Sequence, residues 1–330
     1  MKLTSIITFM ALFLSLFMPL FIPQVLAGVA HAAPSKIEDR SEYSTSLNTI
    51  AVVIMNWYGS LITDNQAEDR QSSFNTKNTG DQWSDYRSQY PKNISQILIT
   101  SNDLLKLEND NGYQFNVKSK FIHSVKNELQ TQLLDETFVF KNTFLLNENQ
   151  PLIKTISRNK SETIQSADTE NADTKTVDTK KAKTHQYNRS HYKVREFTYA
   201  WLAYIDGVKI LKPTMNGSAW LDKATYSLNM GSDHSEDSIP SILVKRRQLL
   251  AKGGHLLRSL DIKNQDNESN TFVIDLILEW KGTSPKGKPV IARIHQEIKV
   301  HIKTDQSWEV ISITEEHLLP VTAPWMGLVC

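Results

Sequence analysis

The chain has 330 residues, 40% of them hydrophobic and 22% charged, with a formal net charge of +1. This length and balance fit one large or two ordinary globular domains, and the near-neutral charge gives no general attraction to nucleic acid. The single cysteine, Cys330, excludes an intramolecular disulfide.

The N-terminal residues have the features of a targeting segment. Lys2 precedes an apolar run over Ile6–Ile22, and Ala30-His31-Ala32 has the A-x-A form that signal peptidase recognises. We therefore predict a signal peptide over residues 1–32 and a protein that is periplasmic or secreted. Because the apolar run is about as long as the shortest membrane spans, a retained membrane anchor is the alternative.

Residues 44–158 are predicted to form one helix followed by strands. Apolar residues recur at helical spacing over Leu47–Thr63, and Ser46 is the predicted cap. Alternating apolar and polar residues then predict strands separated by short polar turns. These strands are Ile94–Glu108, Tyr113–Val125, Gln130–Lys141 and Pro151–Arg158.

Residues 159–190 differ in composition from the rest of the chain. Ser, Thr, Asp, Glu, Lys and Asn dominate, and branched apolar residues are rare. Such a segment cannot bury enough apolar surface to offset the entropy lost on ordering. The composition therefore predicts a disordered linker.

Residues 191–320 return to the order of a helix followed by strands. An amphipathic helix is predicted over Tyr192–Asp206, ended by Gly207. The next predicted elements are helices over Ala219–Met230 and Ile242–Ala251, with a polar loop over Gly231–Pro240 between them. The predicted strands are His255–Lys263, Thr271–Trp280, Pro289–Lys303 and Ser307–His317, and residues 321–330 form a tail.

The two halves thus share one order of elements, which indicates an internal structural repeat. Each half begins with a helix that carries a tryptophan, Trp57 in the first and Trp201 in the second. The second half ends in a strand–W-x-G–long strand–W-x-V/I–strand pattern, from Leu278-Glu279-Trp280-Lys281-Gly282 through Trp308-Glu309-Val310-Ile311-Ser312-Ile313.

This order and this ending resemble the NTF2-like superfamily, which includes SnoaL-type and ketosteroid-isomerase-type proteins. The resemblance covers residues 44–158 and 192–320, and it implies an α+β protein with two cone-shaped domains. In each domain a long helix and short helices pack on a curved antiparallel sheet. The periplasmic domain of VirB8-type secretion proteins is topologically similar.

The resemblance also implies a pocket between the long helix and the concave sheet. An isomerase would need a carboxylate base there and an acidic donor for the enolate oxygen. The candidate pocket residues are Trp201, Tyr204, Asp206, His255, Asp275 and Trp280. Asp206 also fits a helix-end residue and Asp275 a solvent-facing residue, so a catalytic set is not assigned.

No cofactor and no metal are predicted. The sequence contains no Gly-rich phosphate loop, G-x-S-x-G, H-E-x-x-H or paired-Cys site. The spacing of Asp233, His234, Glu236 and Asp237 matches no standard ligand pattern. A polar strand face could instead pair the two halves within the chain; it carries Arg293, His295, Glu297, Lys299 and His301.

Three functions remain open. The first is an exported, non-catalytic binding or assembly module that holds a small apolar ligand or a periplasmic protein partner. The second is a pocket enzyme of the isomerase or dehydratase type. The third is a VirB8-like secretion-system component, which would contact the membrane only if the segment over Ile6–Ile22 is retained.

Overall fold

A computed structural model describes most of the chain after the N-terminal segment. The described residues are 35–62, 86–107, 112–126, 128–140, 153–164, 189–208, 224–230, 233–249, 252–266, 270–304 and 307–318. The predicted signal peptide and the predicted tail lie outside them, as do residues 165–188 of the predicted linker. Within the described ranges, no helix is long and apolar enough to cross a membrane.

Among its described residues, the first half combines one long helix and a helical turn over residues 86–88 with a five-stranded antiparallel sheet in the order β1-β2-β3-β4-β5. Helix α1 spans Arg40–Leu61. The strands are β1 (Ser35–Lys36), β2 (Ile94–Leu107), β3 (Gly112–Val125), β4 (Glu128–Phe140) and β5 (Ile153–Ile164). Strands β2 to β4 lie close to their predicted positions, and β3 shows the clearest alternation of buried apolar and polar residues.

The second half combines two helices with a six-stranded sheet in the order β7-β6-β11-β10-β9-β8. Helix α2 spans Arg189–Ile205, and helix α3 spans Ile239–Leu249. The strands are β6 (Thr225–Met230), β7 (Asp233–Ser238), β8 (Lys252–Asp266), β9 (Thr271–Thr283), β10 (Pro289–Ile302) and β11 (Trp308–Leu318). The molecule is therefore an α+β protein.

Helix α1 begins at Arg40 rather than at the predicted Leu47. Asp39 is the N-cap, because its Oδ1 accepts hydrogen bonds from the backbone N–H of Ser41 at 2.8 Å and of Glu42 at 3.1 Å. Ser46, the predicted cap, is instead a buried residue inside the helix.

The segment between α2 and α3 was predicted wrongly. Strand β6 lies where a helix was predicted over Ala219–Met230, and β7 lies where a polar loop was predicted. Strand β6 pairs with β11 in parallel, so the six-stranded sheet is mixed rather than wholly antiparallel. Strand β6 also pairs with the adjacent β7 in antiparallel fashion, so only its pairing with β11 is distant in the sequence.

The predicted linker is shorter at both ends than expected. Strand β5 continues to Ile164, which pairs with Thr131 of β4, so residues 159–164 belong to the first sheet. Helix α2 begins at Arg189. The division of the chain into two domains stays a prediction, because the residues after Pro34 form one compact unit that contains two hydrophobic cores.

The two sheets are joined through their helices. Helices α1 and α2 pack antiparallel: Gly59 near the end of α1 lies against Tyr192 near the start of α2, and Tyr199 contacts both cores. Each helix also reaches the other sheet, since Asn48 Nδ2 donates to the His255 carbonyl at 3.0 Å and Tyr192 Oη donates to the Ile97 carbonyl at 2.6 Å. The halves therefore meet through helices and not through the strand face that carries Arg293 and Glu297, which is exposed.

Candidate functional site

Helix α2 carries two of the six candidate pocket residues, Trp201 and Tyr204, and packs them tightly. Trp201 is fully buried, and its Nε1–H donates to Gln296 Oε1 at 2.9 Å. Tyr204 is half-buried and stacks on Trp201 with ring centroids 6.2 Å apart. Phe197, one turn earlier, contacts Trp308 edge to face. The space between α2 and its sheet is thus occupied by aromatic side chains of the chain itself.

Asp206 and His255 form a buried pair at the junction of the two halves. Asp206 Oδ1 lies 2.5 Å from His255 Nδ1, and the side chains are 1% and 3% exposed. The backbone N–H of His255 also donates to Asp206 Oδ2 at 3.0 Å. Both carboxylate oxygens are engaged, so the pair fastens the end of α2 to β8.

Trp280 fills the space over the first residues of β8. A Cβ atom added to Gly253 would lie 2.6 Å from Trp280 Cε2, and one added to Gly254 would lie 2.7 Å from Ser44 Cβ. Trp280 itself is 3% exposed. Two glycines therefore permit close packing between α1, β8 and β9 at the place where a pocket was predicted.

Asp275 does not join the other five candidates. It lies on the outer face of the six-stranded sheet, which is the face turned away from α2, between the buried Ile274 and Leu276. Its side chain is 34% exposed, and its Oδ1 lies 3.0 Å from His295 Nε2. Because neighbouring residues of a strand point to opposite faces, Asp275 cannot reach the interior that holds Trp280.

A polar cluster that the sequence analysis did not select lies inside the second half. Gln296 and Glu315 face each other across β10 and β11, and both are completely buried. Glu315 accepts hydrogen bonds from Tyr226 Oη and Gln296 Nε2, and its Oε1 lies 2.9 Å from His317 Nε2. Together with the bond from Trp201 to Gln296, these contacts tie α2 to three strands.

A second polar cluster lies at the corresponding place in the first half. Glu136 of β4 is 1% exposed and accepts from Tyr58 Oη at 3.0 Å and from Tyr90 Oη at 2.6 Å. Arg158, its partner across β4 and β5, lies 3.5 Å away. Burial raises the pKa of Glu136, although the two phenols and Arg158 oppose that shift. Burial also raises the pKa of Tyr58 and Tyr90 well above the usual range.

Both clusters are indicated in the sequence by a polar residue at an inward position of a strand. Glu136 lies between the inward-facing Leu134 and Phe138, and Gln296 lies between the inward-facing Ile294 and Ile298. A polar residue at an inward position of an alternating strand is expected to need a buried hydrogen-bond partner.

The interior contacts favour a structural role for these acidic groups. Each of Glu136, Glu315 and Asp206 already accepts several hydrogen bonds from the chain. Among the described residues, no group of three or more His, Cys, Asp or Glu side chains is placed to hold a metal ion.

The described residues form a cleft and a groove outside the packed interior. A cleft of about 430 Å³ lies between the start of α1 and the β9–β10 hairpin; its lining includes Asp39, Gly253, Lys281, Pro289, Val290 and Ile291. A polar groove of about 660 Å³ lies on the outer face of the five-stranded sheet. In that groove Asn116 Oδ1 accepts hydrogen bonds from Gln114 Nε2 at 3.0 Å and from Thr137 Oγ1 at 2.9 Å.

Several solved structures to which this chain is similar are described as NTF2-like or cystatin-like proteins. An NTF2-like protein from Salmonella enterica has 10% sequence identity and a TM-score of 0.32, over 42% of this chain and 97% of that one. An NTF2-like protein with a cystatin-like fold from Novosphingobium aromaticivorans has 13% identity and a TM-score of 0.30, over 41% and 85%.

Mtr2 from Candida albicans has 14% identity and a TM-score of 0.29, over 40% of this chain and 99% of that one. No family model matches the sequence. No curated protein matches it either.

Proposed function

We propose that the protein is an exported, non-catalytic assembly module that pairs with a second copy of itself through the β9–β10 surface. This surface is the outer face of two central strands and consists of Val273, Asp275, Ile277, Glu279, Arg293, His295, Glu297 and Lys299. The proposal includes two NTF2-like halves arising from an internal repeat, and export directed by residues 1–32.

The observation that carries the proposal is that the interior is filled while the β9–β10 surface is uncovered. Trp201 and Trp280 occupy the region where a ligand pocket was predicted, and both are buried. The β9–β10 surface, in contrast, has half-buried aliphatic residues such as Ile277 among exposed charged residues such as Arg293 and Glu297. Apolar residues surrounded by charged ones are typical of protein interfaces.

The charge pattern of this surface suits a two-fold related copy. Arg293 lies opposite Glu279 across the two strands, and Glu297 lies opposite Asp275. Positively and negatively charged side chains are therefore both present on the β9–β10 surface. In a two-fold interface the same patch meets itself, so basic groups of one copy can lie against acidic groups of the other.

The test is sedimentation velocity of the full chain without the signal peptide, over a range of protein concentrations. The proposal predicts a monomer–dimer equilibrium that weakens in Arg293→Glu and strengthens at low salt. A monomer at all concentrations would overturn self-assembly. Mass spectrometry of the exported protein tests whether residues 1–32 are a cleaved signal peptide. An N-terminus at Ala33 is expected, and a retained Met1 would favour the anchored, VirB8-like alternative.

A further inference from the structure

The polar groove on the outer face of the five-stranded sheet is built entirely from described side chains. Gln114, Asn116 and Lys118 of β3 point to it, because they alternate with the buried Phe115 and Val117. The whole lining, on β2 to β5, consists of four carboxamides, two carboxylates, two hydroxyls and one ammonium group, with no apolar or aromatic side chain. A ligand in this groove would therefore be held by hydrogen bonds and not by apolar burial.

A chain of hydrogen bonds joins the side chains of β3, β4 and β5 in this groove, and its direction is fixed. The Asp135 carboxylate can only accept, so the atom of Asn159 that lies 3.3 Å from its Oδ1 is the donor Nδ2. The same Nδ2 lies 3.0 Å from Thr137 Oγ1, so this hydroxyl accepts there and donates its own proton to Asn116 Oδ1 at 2.9 Å. Asn116 Oδ1 also accepts from Gln114 Nε2 at 3.0 Å, so no amide of the chain can turn over without breaking it.

The remaining atoms of these amides have a fixed hydrogen-bonding character. Asn116 Nδ2 is a donor, whereas Gln114 Oε1 and Asn159 Oδ1 are acceptors. Within the described ranges these three atoms make no other hydrogen bond. Asp103, which lies opposite Asn116 on β2, adds an exposed carboxylate, and Lys118 adds an exposed ammonium group. The groove thus presents donors and acceptors together, in positions that the chain of hydrogen bonds holds.

We propose that this groove binds a carbohydrate, that is, a neutral ligand with many hydroxyl groups. Each sugar hydroxyl both donates and accepts, so it matches a surface that offers fixed donors beside fixed acceptors. Two carboxylates against one ammonium group disfavour an anionic ligand such as a phosphate ester. An extended peptide would need pockets for its side chains, which a lining without apolar groups does not provide. The site lies on the first sheet and is independent of self-assembly through the β9–β10 surface.

The test is isothermal titration calorimetry of the full chain without the signal peptide, with maltohexaose, cellohexaose and chitohexaose as probes. We expect at least one of these neutral hexasaccharides to bind with a Kd of about 1 mM or lower, since hydrogen bonds without aromatic stacking give a weak site. A hexapeptide of glycine and serine is titrated in parallel. Binding of none of the three saccharides, or of the peptide alone, would overturn the proposal.

A first variant, Asn116→Asp, replaces the donor Nδ2 by an acceptor and keeps the shape of the side chain. We expect the saccharide that binds the unaltered chain to bind this variant about tenfold more weakly. Asn229→Asp makes the same chemical change on β6 of the other sheet and should leave the affinity unchanged. Equal affinity in Asn116→Asp, or an equal loss in both variants, would show that the saccharide does not bind in the groove.

A second variant, Thr137→Val, tests the chain of hydrogen bonds itself. The Thr137 hydroxyl both accepts from Asn159 and donates to Asn116, so its removal releases the two amides. We expect about threefold to tenfold weaker binding. Thr131→Val lies on the same face of β4, ~20 Å away, and should bind as the unaltered chain does. Thermal unfolding checks that each variant is folded.

Ile277→Lys separates this site from self-assembly, because it lies on the other sheet and should bind the saccharide with unchanged affinity. A chain that binds no saccharide but still dimerises would overturn the carbohydrate site alone. Unchanged affinity in Thr137→Val, or an affinity that is lost in Ile277→Lys, would also contradict binding in the groove of the first sheet.

Discussion

Each half buries a pair of polar residues on two neighbouring strands, and the two pairs differ in charge and in their hydrogen-bonding groups. In the first half a carboxylate on β4, Glu136, faces Arg158 on β5 and accepts from two phenols. In the second half an amide on β10, Gln296, faces a carboxylate on β11, Glu315. Each pair joins the last two strands of its half in chain order. Each pair also accepts a hydrogen bond from an aromatic residue of the long helix, Tyr58 in the first half and Trp201 in the second.

The difference shows what the fold requires at this position. It requires a polar pair that is satisfied inside the chain and that fixes the register of helix and sheet, because buried polar groups without partners are costly. It does not require a particular charge or a particular donor. This interchangeability favours a structural role over an acid–base role, in which one protonation state would be needed.

The most severe test of this comparison is to place the residue of one half into the other. Gln296→Glu would bury a second carboxylate beside Glu315, and both positions are completely buried. We expect a loss of about 3 to 5 kcal/mol in the free energy of unfolding at neutral pH, with partial recovery on acidification. Urea unfolding at several pH values measures it, with the exposed Glu297→Gln as the control; equal stability of both variants would contradict the account.

The next largest effect concerns the junction of the halves. Gly254→Ala places a Cβ atom 2.7 Å from Ser44 Cβ and in overlap with Ser44 Oγ, and should cost about 1 to 3 kcal/mol. Ser44→Gly removes the obstructing atoms, so the double variant should be more stable than the sum of the single losses predicts. Strict additivity of the two changes would show that α1 and β8 do not pack as described.

The reciprocal exchange, Glu136→Gln, should be milder. Glutamine keeps one acceptor for the two phenols but loses the charge that faces Arg158, so we expect a loss of about 1 to 3 kcal/mol. The pKa of Glu136 is raised above its ordinary 4.5, so the folded state holds that proton more tightly than the unfolded state. Stability from this group is therefore lost as pH rises above about 4.5. Glu136→Gln should remove this pH dependence; an unchanged profile would contradict the assignment.

The smallest effect is expected for His123, which lowers the free energy of unfolding as pH falls, whereas Glu136 lowers it as pH rises. Burial lowers the pKa of His123 on β3 below its ordinary 6.5, and its Nδ1 lacks a hydrogen-bond partner among the described residues. The unfolded state binds the proton more readily, so this residue lowers stability as pH falls below about 6.5, by at most about 1.4 kcal/mol per pH unit. His123→Leu should flatten the unfolding profile there, and a slope that persists would assign it to another group.

Much of this fold follows from sequence periodicity, and the exceptions have physical causes. Strands β9 and β10 alternate between buried and more exposed residues because one face of each is buried, so their positions were predicted closely. Strand β6 was wrongly predicted as a helix; it pairs with the neighbouring β7 and also, in parallel, with the distant β11, and the second pairing leaves no local pattern. The start of α1 was missed because a capping aspartate, Asp39, precedes a polar first turn.

The burial of the candidate pocket residues follows in part from the sequence pattern, while their role as a pocket stays a prediction. Trp201, Asp206, His255 and Trp280 are all buried in or beside the second core, as expected for residues around the long helix. Asp275 was placed with them on its chemistry, although its position in the alternation assigns it to the outer face. Glu136 and Gln296 were not predicted as site residues, although each is a polar residue at an inward position of a strand.

The most direct test of the account is to compare the outer faces of the two sheets. Ile277→Lys on the six-stranded sheet and Leu133→Lys on the five-stranded sheet change similar half-buried aliphatic residues at mid-strand. In sedimentation velocity at matched concentration, the account predicts a monomer for Ile277→Lys and an unaltered dimer for Leu133→Lys. A dimer that survives Ile277→Lys, or that is lost only in Leu133→Lys, would contradict assembly through the β9–β10 surface.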